Sequence, residues 1–162
     1  MFRDVLTKYN GRPTGIFTGD ECVSGISPIQ GTELCAVAEQ MYSYEHLFAY
    51  TGENKWAERL EVLGFNALPA TLSEDMWTHQ YVQQVNQIAC QKTMIMAPWS
   101  TNGPYAHTFG LEPNFGCCTA NFSQGWPKLA LSAFMHNGSR IINAVAIPSQ
   151  LSTEGITIRL ET

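Results

Sequence analysis

The chain has 162 residues, about the length of one ordinary domain, and 44% of them are apolar. That is enough material for a core hiding roughly 68 to 70% of the unfolded surface, which excludes disorder as the main state. Only 14% of residues are charged, against about 25% in a typical soluble domain, so the protein is either unusually buried or a piece that expects company. The net charge of -5 has the wrong sign for a broad phosphate-binding surface, so no nucleic-acid partner is expected. No membrane partner is expected either, because no apolar run approaches the roughly 20 residues of a membrane span. The start, Met1-Phe2-Arg3-Asp4-Val5-Leu6-Thr7-Lys8, carries charge where a secretory signal needs its apolar stretch. Five cysteines, two of them adjacent at Cys117-Cys118, suit reduced thiols or a metal site better than a disulfide framework.

Residues 9–32 hold five Gly and two Pro and read as a long loop, a kind of segment that is usually functional. From Thr32 to about Tyr50, Leu34, Val37, Ala38, Met41, Tyr44 and Phe48 recur at three- and four-residue steps, predicting a helix with one buried stripe and Thr32 as its cap. A second helix is predicted from Asn54 to about Leu68, with Trp56, Ala57, Leu60 and Leu63 inward and Pro69 as its stop. Thr51-Gly52-Glu53 is a short connector, so the two helices are expected to be antiparallel neighbours.

Residues 69–116, including Met76-Trp77-Thr78-His79-Gln80-Tyr81, read as extended or irregular chain. Cys118 to about His136 is helical in pattern, with Pro127 tolerable near a helix start or as a kink. From Ser139 onward, short β-branched runs at 141–147 and 156–160 predict two strands, with the chain stopping inside the second at Glu161-Thr162.

Several groups of residues can carry chemistry. Glu33 and Cys35, together with Cys117 and Cys118, offer one carboxylate and three thiols, a plausible four-coordinate zinc shell. Buried inert thiols are the alternative. Residues i and i+2 lie about 200° apart on a helix, so Glu33 and Cys35 can share an ion only where the chain is not yet regular helix. A turn enabled by Gly116 would aim both neighbouring sulfurs at one point. Glu21, in Gly19-Asp20-Glu21, is a candidate general acid/base, with a solvated turn acid as the alternative. Cys22 reads as incidental and Cys90 as core, while His79 and Tyr81 are candidates for a sugar pocket or for structural roles. Arg59, Lys92, Lys128 and Arg140 read as scattered surface charge.

Taken in order, Gly19-Asp20-Glu21, Gly31-Thr32-Glu33-Leu34-Cys35-Ala36, Asn66-Ala67-Leu68-Pro69, Trp77-Thr78-His79-Gln80-Tyr81 and Gly116-Cys117-Cys118-Thr119-Ala120-Asn121 give a specific combination. Over nearly the whole chain it resembles glycoside hydrolase family 127, the β-L-arabinofuranosidase group. The resemblance implies a mainly α fold, with residues 1–138 part of an alpha/alpha six-barrel and residues 139–162 the first strands of a β-sandwich domain. The remainder of the parent chain, upstream and downstream, would then be its structural partner, and this chain by itself an incomplete and inactive fragment.

The resemblance further implies a zinc ion held by Glu33, Cys35, Cys117 and Cys118, with Cys117 as nucleophile and Glu21 as acid/base. It places Glu61 and Tyr81 at positions of pocket residues, beside His79. The implied substrate is a glycan bearing terminal β-L-arabinofuranose. A non-catalytic zinc-stabilised structural or carbohydrate-binding module is the competing reading, and an open path from solvent to Cys117 separates the two.

Overall fold

The structure is a computed structural model that describes residues 2–94 and 97–162; Met1 of the charged start and Ile95-Met96 of the irregular segment lie outside them. The first element is a helix, α1 (Phe2–Asn10), which takes in the first two residues of the expected loop and buries none of its own. It is tied down by Arg3, whose guanidinium donates to Gln40 Oε1 and Tyr44 Oη and lies over the Phe17 and Tyr44 rings.

The chain then runs irregularly to the short strand β1 (Thr32–Glu33), which leads directly into α2 (Leu34–Thr51). The expected apolar stripe is real: Leu34, Val37, Ala38, Met41, Tyr44 and Phe48 are all buried. Thr32 is not the cap. It lies in β1, where its hydroxyl donates to the Phe17 carbonyl at 3.0 Å, and Glu33 occupies the cap position with no side-chain capping bond. Gly52 ends α2 in the left-handed conformation, φ 66°, and donates its N–H to Phe48 O, a stop that glycine makes without a Cβ clash.

Helix α3 (Asn54–Val62) packs back on α2 through Trp56 and Leu60, with the Trp56 and Tyr44 rings stacked at 5.7 Å. The predicted helix to Leu68 changes character partway. Residues Leu63–Ala67 form a π-helical turn, and Pro69–Thr71 a 3-10 turn with the proline in the first position, where its missing N–H costs nothing. These elements bury Leu63, Ala67 and Leu68 against α2. Full burial of one such leucine contributes roughly 1.5 to 3 kcal/mol relative to leaving it in water.

Among its described residues the segment to residue 115 is irregular as expected, apart from β2 (Val82–Gln83), which pairs antiparallel with β1 through Thr32↔Gln83 and Glu33↔Val82. The single helix expected from Cys118 is in fact two, α4 (Gly116–Phe122) and α5 (Gly125–Leu131), separated at Ser123-Gln124. Pro127 falls in the first turn of α5, where its lack of a donor is harmless. Phe134 and His136 are strand rather than helix. They belong to β3 (Phe134–Asn137), which forms a hairpin with β4 (Arg140–Asn143).

A second hairpin joins β5 (Ser149–Thr153) to β6 (Ile156–Leu160). The β part therefore holds four strands rather than two, and β6 ends at Leu160, before Glu161-Thr162. Both hairpins turn on a glycine at positive φ, Gly138 and Gly155. Ala144 and Val145 return to the main core beside Val37 and Leu129. The fold is thus helices followed by small antiparallel strand pairs. Among the described residues no helix is long and apolar enough to cross a membrane.

Candidate metal centre and groove

A second, smaller core of Leu34, Tyr81, Val82, Ala106 and Cys118 lies where α2, α4 and β2 meet, and the chemistry is built on it. Glu33 is extended, φ -66° and ψ 140°, while Leu34 and Cys35 open α2. The break between strand and helix turns the Glu33 carboxylate and the Cys35 sulfur toward one point, as the i, i+2 spacing required. Leu34 N–H is fixed to the Tyr81 carbonyl at 2.9 Å, so the break is held in place by β2's approach.

Opposite, α4 supplies Cys117 and Cys118. Gly116 is the first residue of this helix and has no positive φ, so no left-handed glycine turn aims the sulfurs. The helix start does so instead, with Cys118 buried toward Cys35 and Cys117 exposed beside Glu33. The Cys35 and Cys118 sulfurs are 3.2 Å apart, and Glu33 Oε1 is 3.8 Å from Cys117 Sγ and 3.9 Å from Cys118 Sγ. All four donor atoms lie within 4.8 Å of one another.

Tetrahedral zinc with Zn–S bonds of about 2.3 Å and Zn–O bonds of about 2.0 to 2.2 Å separates its donors by roughly 3.5 to 3.8 Å, so this set has the dimensions and chemistry of a metal site. Without a cation, Cys35 and Cys117 hold their protons tightly. The Cys35 thiol is pushed far up by its hydrogen bond with Cys118, by burial and by Glu33; burial, then Cys35, pushes Cys117 up.

A groove of about 380 Å³ runs beside the cluster, lined by Phe17, Gly19, Glu21, Cys22, Val23, Glu33, Cys35, Ala36 and Glu39. It brings Glu21, from the glycine-rich loop, to the same hollow as two members of the cluster. Glu21 is held at φ 66°, a left-handed conformation uncommon for a residue with a side chain. The loop base is pinned to β1 by Gly19 N–H to Gly31 O at 3.1 Å and by Glu33 N–H to Gly19 O at 2.8 Å.

The other expected site residues sit differently. Tyr81 is buried, stacked on Phe115 with ring centroids 3.8 Å apart, and its hydroxyl donates to Asp20 Oδ1 at 2.5 Å. Burial and then that bond to Asp20 raise its pKa, so it stays a donor. His79 is also buried; its Nε2 is 3.0 Å from Thr119 Oγ1 and its ring stacks on Phe122. It thereby braces α4 from behind, while its Nδ1 has no hydrogen-bond partner among the described residues. Glu61 is not brought to the groove. It is exposed on α3 beside a separate hollow with Glu58, Val62, Phe65 and Asn66, because the stripe that packs α3 is on Trp56 and Leu60.

Cys90, expected in the core, is exposed, and Cys22 is exposed as well. Of the scattered cations, Arg59 and Lys128 are half-buried over the rings of Trp56 and Tyr42. Three residues at the site gave no distinct signal in the sequence. Asp20 was visible only within Gly19-Asp20-Glu21, and Asn102 and Phe115 not at all.

A cluster of three thiols and a carboxylate that could hold a metal ion thus stands beside a groove with a further carboxylate. The family model described as beta-L-arabinofuranosidase, GH127 catalytic domain, matches residues 20–131, and the chain belongs to that family of glycoside hydrolases. Its substrate is accordingly a carbohydrate. No curated protein and no solved structure matches the chain.

Proposed function

We propose that the chain is part of a retaining glycoside hydrolase that releases terminal β-L-arabinofuranose from plant-type glycans. In this reading Glu33, Cys35, Cys117 and Cys118 hold zinc, Cys117 is the nucleophile and Glu21 the general acid/base. The observation that carries it is the convergence of those four donor atoms beside the groove that Glu21 also lines. The exposure of Cys117 favours it over a closed structural zinc module, which would bury all its sulfurs.

The bound zinc ion supplies the positive charge that keeps Cys117 a thiolate at neutral pH, where a free thiol of pKa about 8.5 is mostly protonated. The Cys117 sulfur attacks the anomeric carbon while the Glu21 carboxyl gives its proton to the departing glycosidic oxygen, so that the alcohol leaves neutral. The sugar is then joined to Cys117 through a C–S bond. Glu21, now a carboxylate, takes a proton from a water that attacks the anomeric carbon and restores the sulfur. Two inversions retain the configuration, with a thiolate in place of the usual second carboxylate.

The same proposal makes residues 1–138 part of an alpha/alpha barrel and residues 139–162 the opening of a β-sandwich, completed by further chain. The α2–α3 helix hairpin supports the first part and the β5–β6 hairpin the second, while the β3–β4 hairpin pairs across the division at Gly138-Ser139.

The test uses Cys117→Ser and Cys35→Ala in the zinc-loaded protein. Cys117→Ser is expected to lose turnover by on the order of a thousandfold or more. Cys35→Ala is expected to lose bound zinc, read by metal analysis. Full activity in the first or full zinc content in the second rejects the assignment.

A further inference from the structure

The carboxylate beside the proposed acid/base carries more structure than a loop residue needs. Asp20 Oδ1 accepts the Tyr81 hydroxyl at 2.5 Å, and Oδ2 accepts a hydrogen bond from Asn102 Nδ2. Behind this pair lies a continuous polar network. Asn102 N–H donates to Ser100 Oγ at 3.1 Å, Ser100 Oγ donates to His107 Nε2 at 2.7 Å, and His107 Nδ1–H donates to Val82 O at 3.1 Å. Val82 is bonded to Tyr81 in the chain, so the network closes on itself. Tyr81, Ser100 and His107 are each buried, which makes the bonds they form costly to break.

Tyr81 also touches both segments that carry the cluster. Its carbonyl accepts Leu34 N–H between Glu33 and Cys35, and its ring lies flat on Phe115, two residues before Cys117. One residue, through its carbonyl, ring and hydroxyl, therefore refers the Asp20 loop to both sets of candidate ligands. Glu21 follows Asp20 directly and is held at a positive φ, a conformation that persists only where its surroundings enforce it. The Asp20 clamp provides that enforcement, since its carboxylate ties the residue before Glu21 at two points.

The geometry points to Asp20 as the positioning residue of the reaction: clamped by Tyr81 and Asn102, it aims Glu21 into the groove beside Cys117. The inference rests on the reading of Glu21 as acid/base. Its chemistry is specific, because both bonds require two acceptor oxygens. An asparagine at position 20 offers one oxygen and one NH₂, and the latter meets the NH₂ of Asn102.

The experiment compares Asp20→Asn, Asn102→Ala, Glu21→Gln and the exchanged pair Asp20→Asn/Asn102→Asp in the zinc-loaded full-length enzyme of which this chain is part. Two aryl β-L-arabinofuranosides are used, one with a 2,4-dinitrophenyl leaving group, which needs no proton, and one with a phenyl leaving group, which does. Asp20→Asn and Asn102→Ala are expected to lose about 100-fold in kcat/KM on the phenyl glycoside and less than about threefold on the dinitrophenyl glycoside. Zinc content is expected to stay unchanged. The exchanged pair, in which an amide at position 20 donates to a carboxylate at position 102, is expected to recover most of the loss.

Amide hydrogen exchange of residues 19–25 is read in parallel and needs no turnover. Exchange at least about tenfold faster in Asp20→Asn supports the clamp, and unchanged protection overturns it. Equal losses on the two glycosides overturn the positioning role, since a merely structural residue does not distinguish leaving groups. If Glu21→Gln itself shows no leaving-group dependence, the acid/base reading fails and the inference falls with it. A dependence in Glu21→Gln but not in Asp20→Asn removes the inference alone.

Discussion

Cys35 and Cys118, 83 residues apart in sequence, hold their sulfurs 3.2 Å apart, with the Glu33 carboxylate 3.9 Å from the second of them. Thiols crowded in this way share protons and repel one another when ionised, and a divalent cation at their centre removes that cost. The exposed members of the cysteine set make this measurable. In metal-free protein, iodoacetamide is expected to label the exposed Cys22 and Cys90 quickly, Cys117 more slowly because its pKa is raised, and the buried Cys118 slowest. Zinc is expected to speed the labelling of Cys117, because it replaces a protonated thiol by a thiolate, while Cys22 and Cys90 react as before. Peptide mapping by mass spectrometry reads the result, and labelling of Cys117 at an unchanged rate in zinc would count against a metal at this cluster.

Acid is expected to loosen the groove through His107. Burial lowers its pKa, outweighing the Val82 carbonyl and the charge of Asp20, which act the other way. The folded state therefore binds the proton less readily than the unfolded chain, whose histidine titrates near 6.5. Stability from this group is fully present above that value and falls as the pH drops below it toward the folded pKa. Urea melts of wild type and His107→Gln between pH 7.5 and 5 check the sign. The wild type should lose stability on acidification and the variant should lose less, and parallel slopes would remove His107 as the cause.

Gly31 is expected to be irreplaceable by alanine. An added Cβ would meet Val82 Cγ1 at 1.9 Å and the Gln83 carbonyl at 3.0 Å, and a buried β-branched side chain facing a paired strand has little room to move. Overpacking of this kind costs about 1 to 3 kcal/mol. Because β1 carries Glu33, the damage should reach the metal centre. Gly31→Ala should lower both the urea midpoint and the zinc content, whereas Gly103→Ala, whose added Cβ meets nothing within 4 Å, should lower neither.

Glu45 gives the opposite pH signature to His107. It is buried on α2, where Ser132 Oγ donates to its Oε2 at 2.9 Å while Oε1 has no partner. Burial raises its pKa against the smaller opposing effects of Ser132, Lys128 and His46. The folded state thus holds this proton at a pH where the unfolded chain, with a carboxyl near 4.3, has released it, and the group costs stability increasingly as pH rises through that window. Glu45→Gln should raise the melting temperature at pH 7 and leave it unchanged at pH 3. A loss at pH 7 would show that the carboxylate is compensated.

Much of this was legible in the residues themselves. The three- and four-residue spacing from Leu34 to Phe48 places α2 because a helix buries one stripe, and Pro69 marks the end of the next helical stretch because it lacks a donor. The candidate ligands were legible as chemistry, since Glu33, Cys35, Cys117 and Cys118 are the residue types that hold zinc and stand in an order that resembles a known family. Glu21 was visible for the same reason.

The rest depended on contacts that spacing does not encode. Thr32 looked like a cap, but pairing with Gln83 draws it into a strand. Cys118 to His136 looked like one helix, yet Phe134–Asn137 pairs with Arg140–Asn143, and apolar residues serve either period equally well. Glu61 stood at an expected pocket position, and the packing of Trp56 and Leu60 turns it to another face.

Sequence alone determined the helical stripes, the turn glycines and the donor types of the centre, because these follow from local sterics and side-chain chemistry. The tertiary structure alone decided that the four donors converge, that Tyr81 binds Asp20 rather than facing the groove, and that Asn102 completes the clamp. Those relationships span 61 to 85 residues of chain, and only the packing of α2, α4 and β2 around Leu34, Val82 and Cys118 brings their ends together.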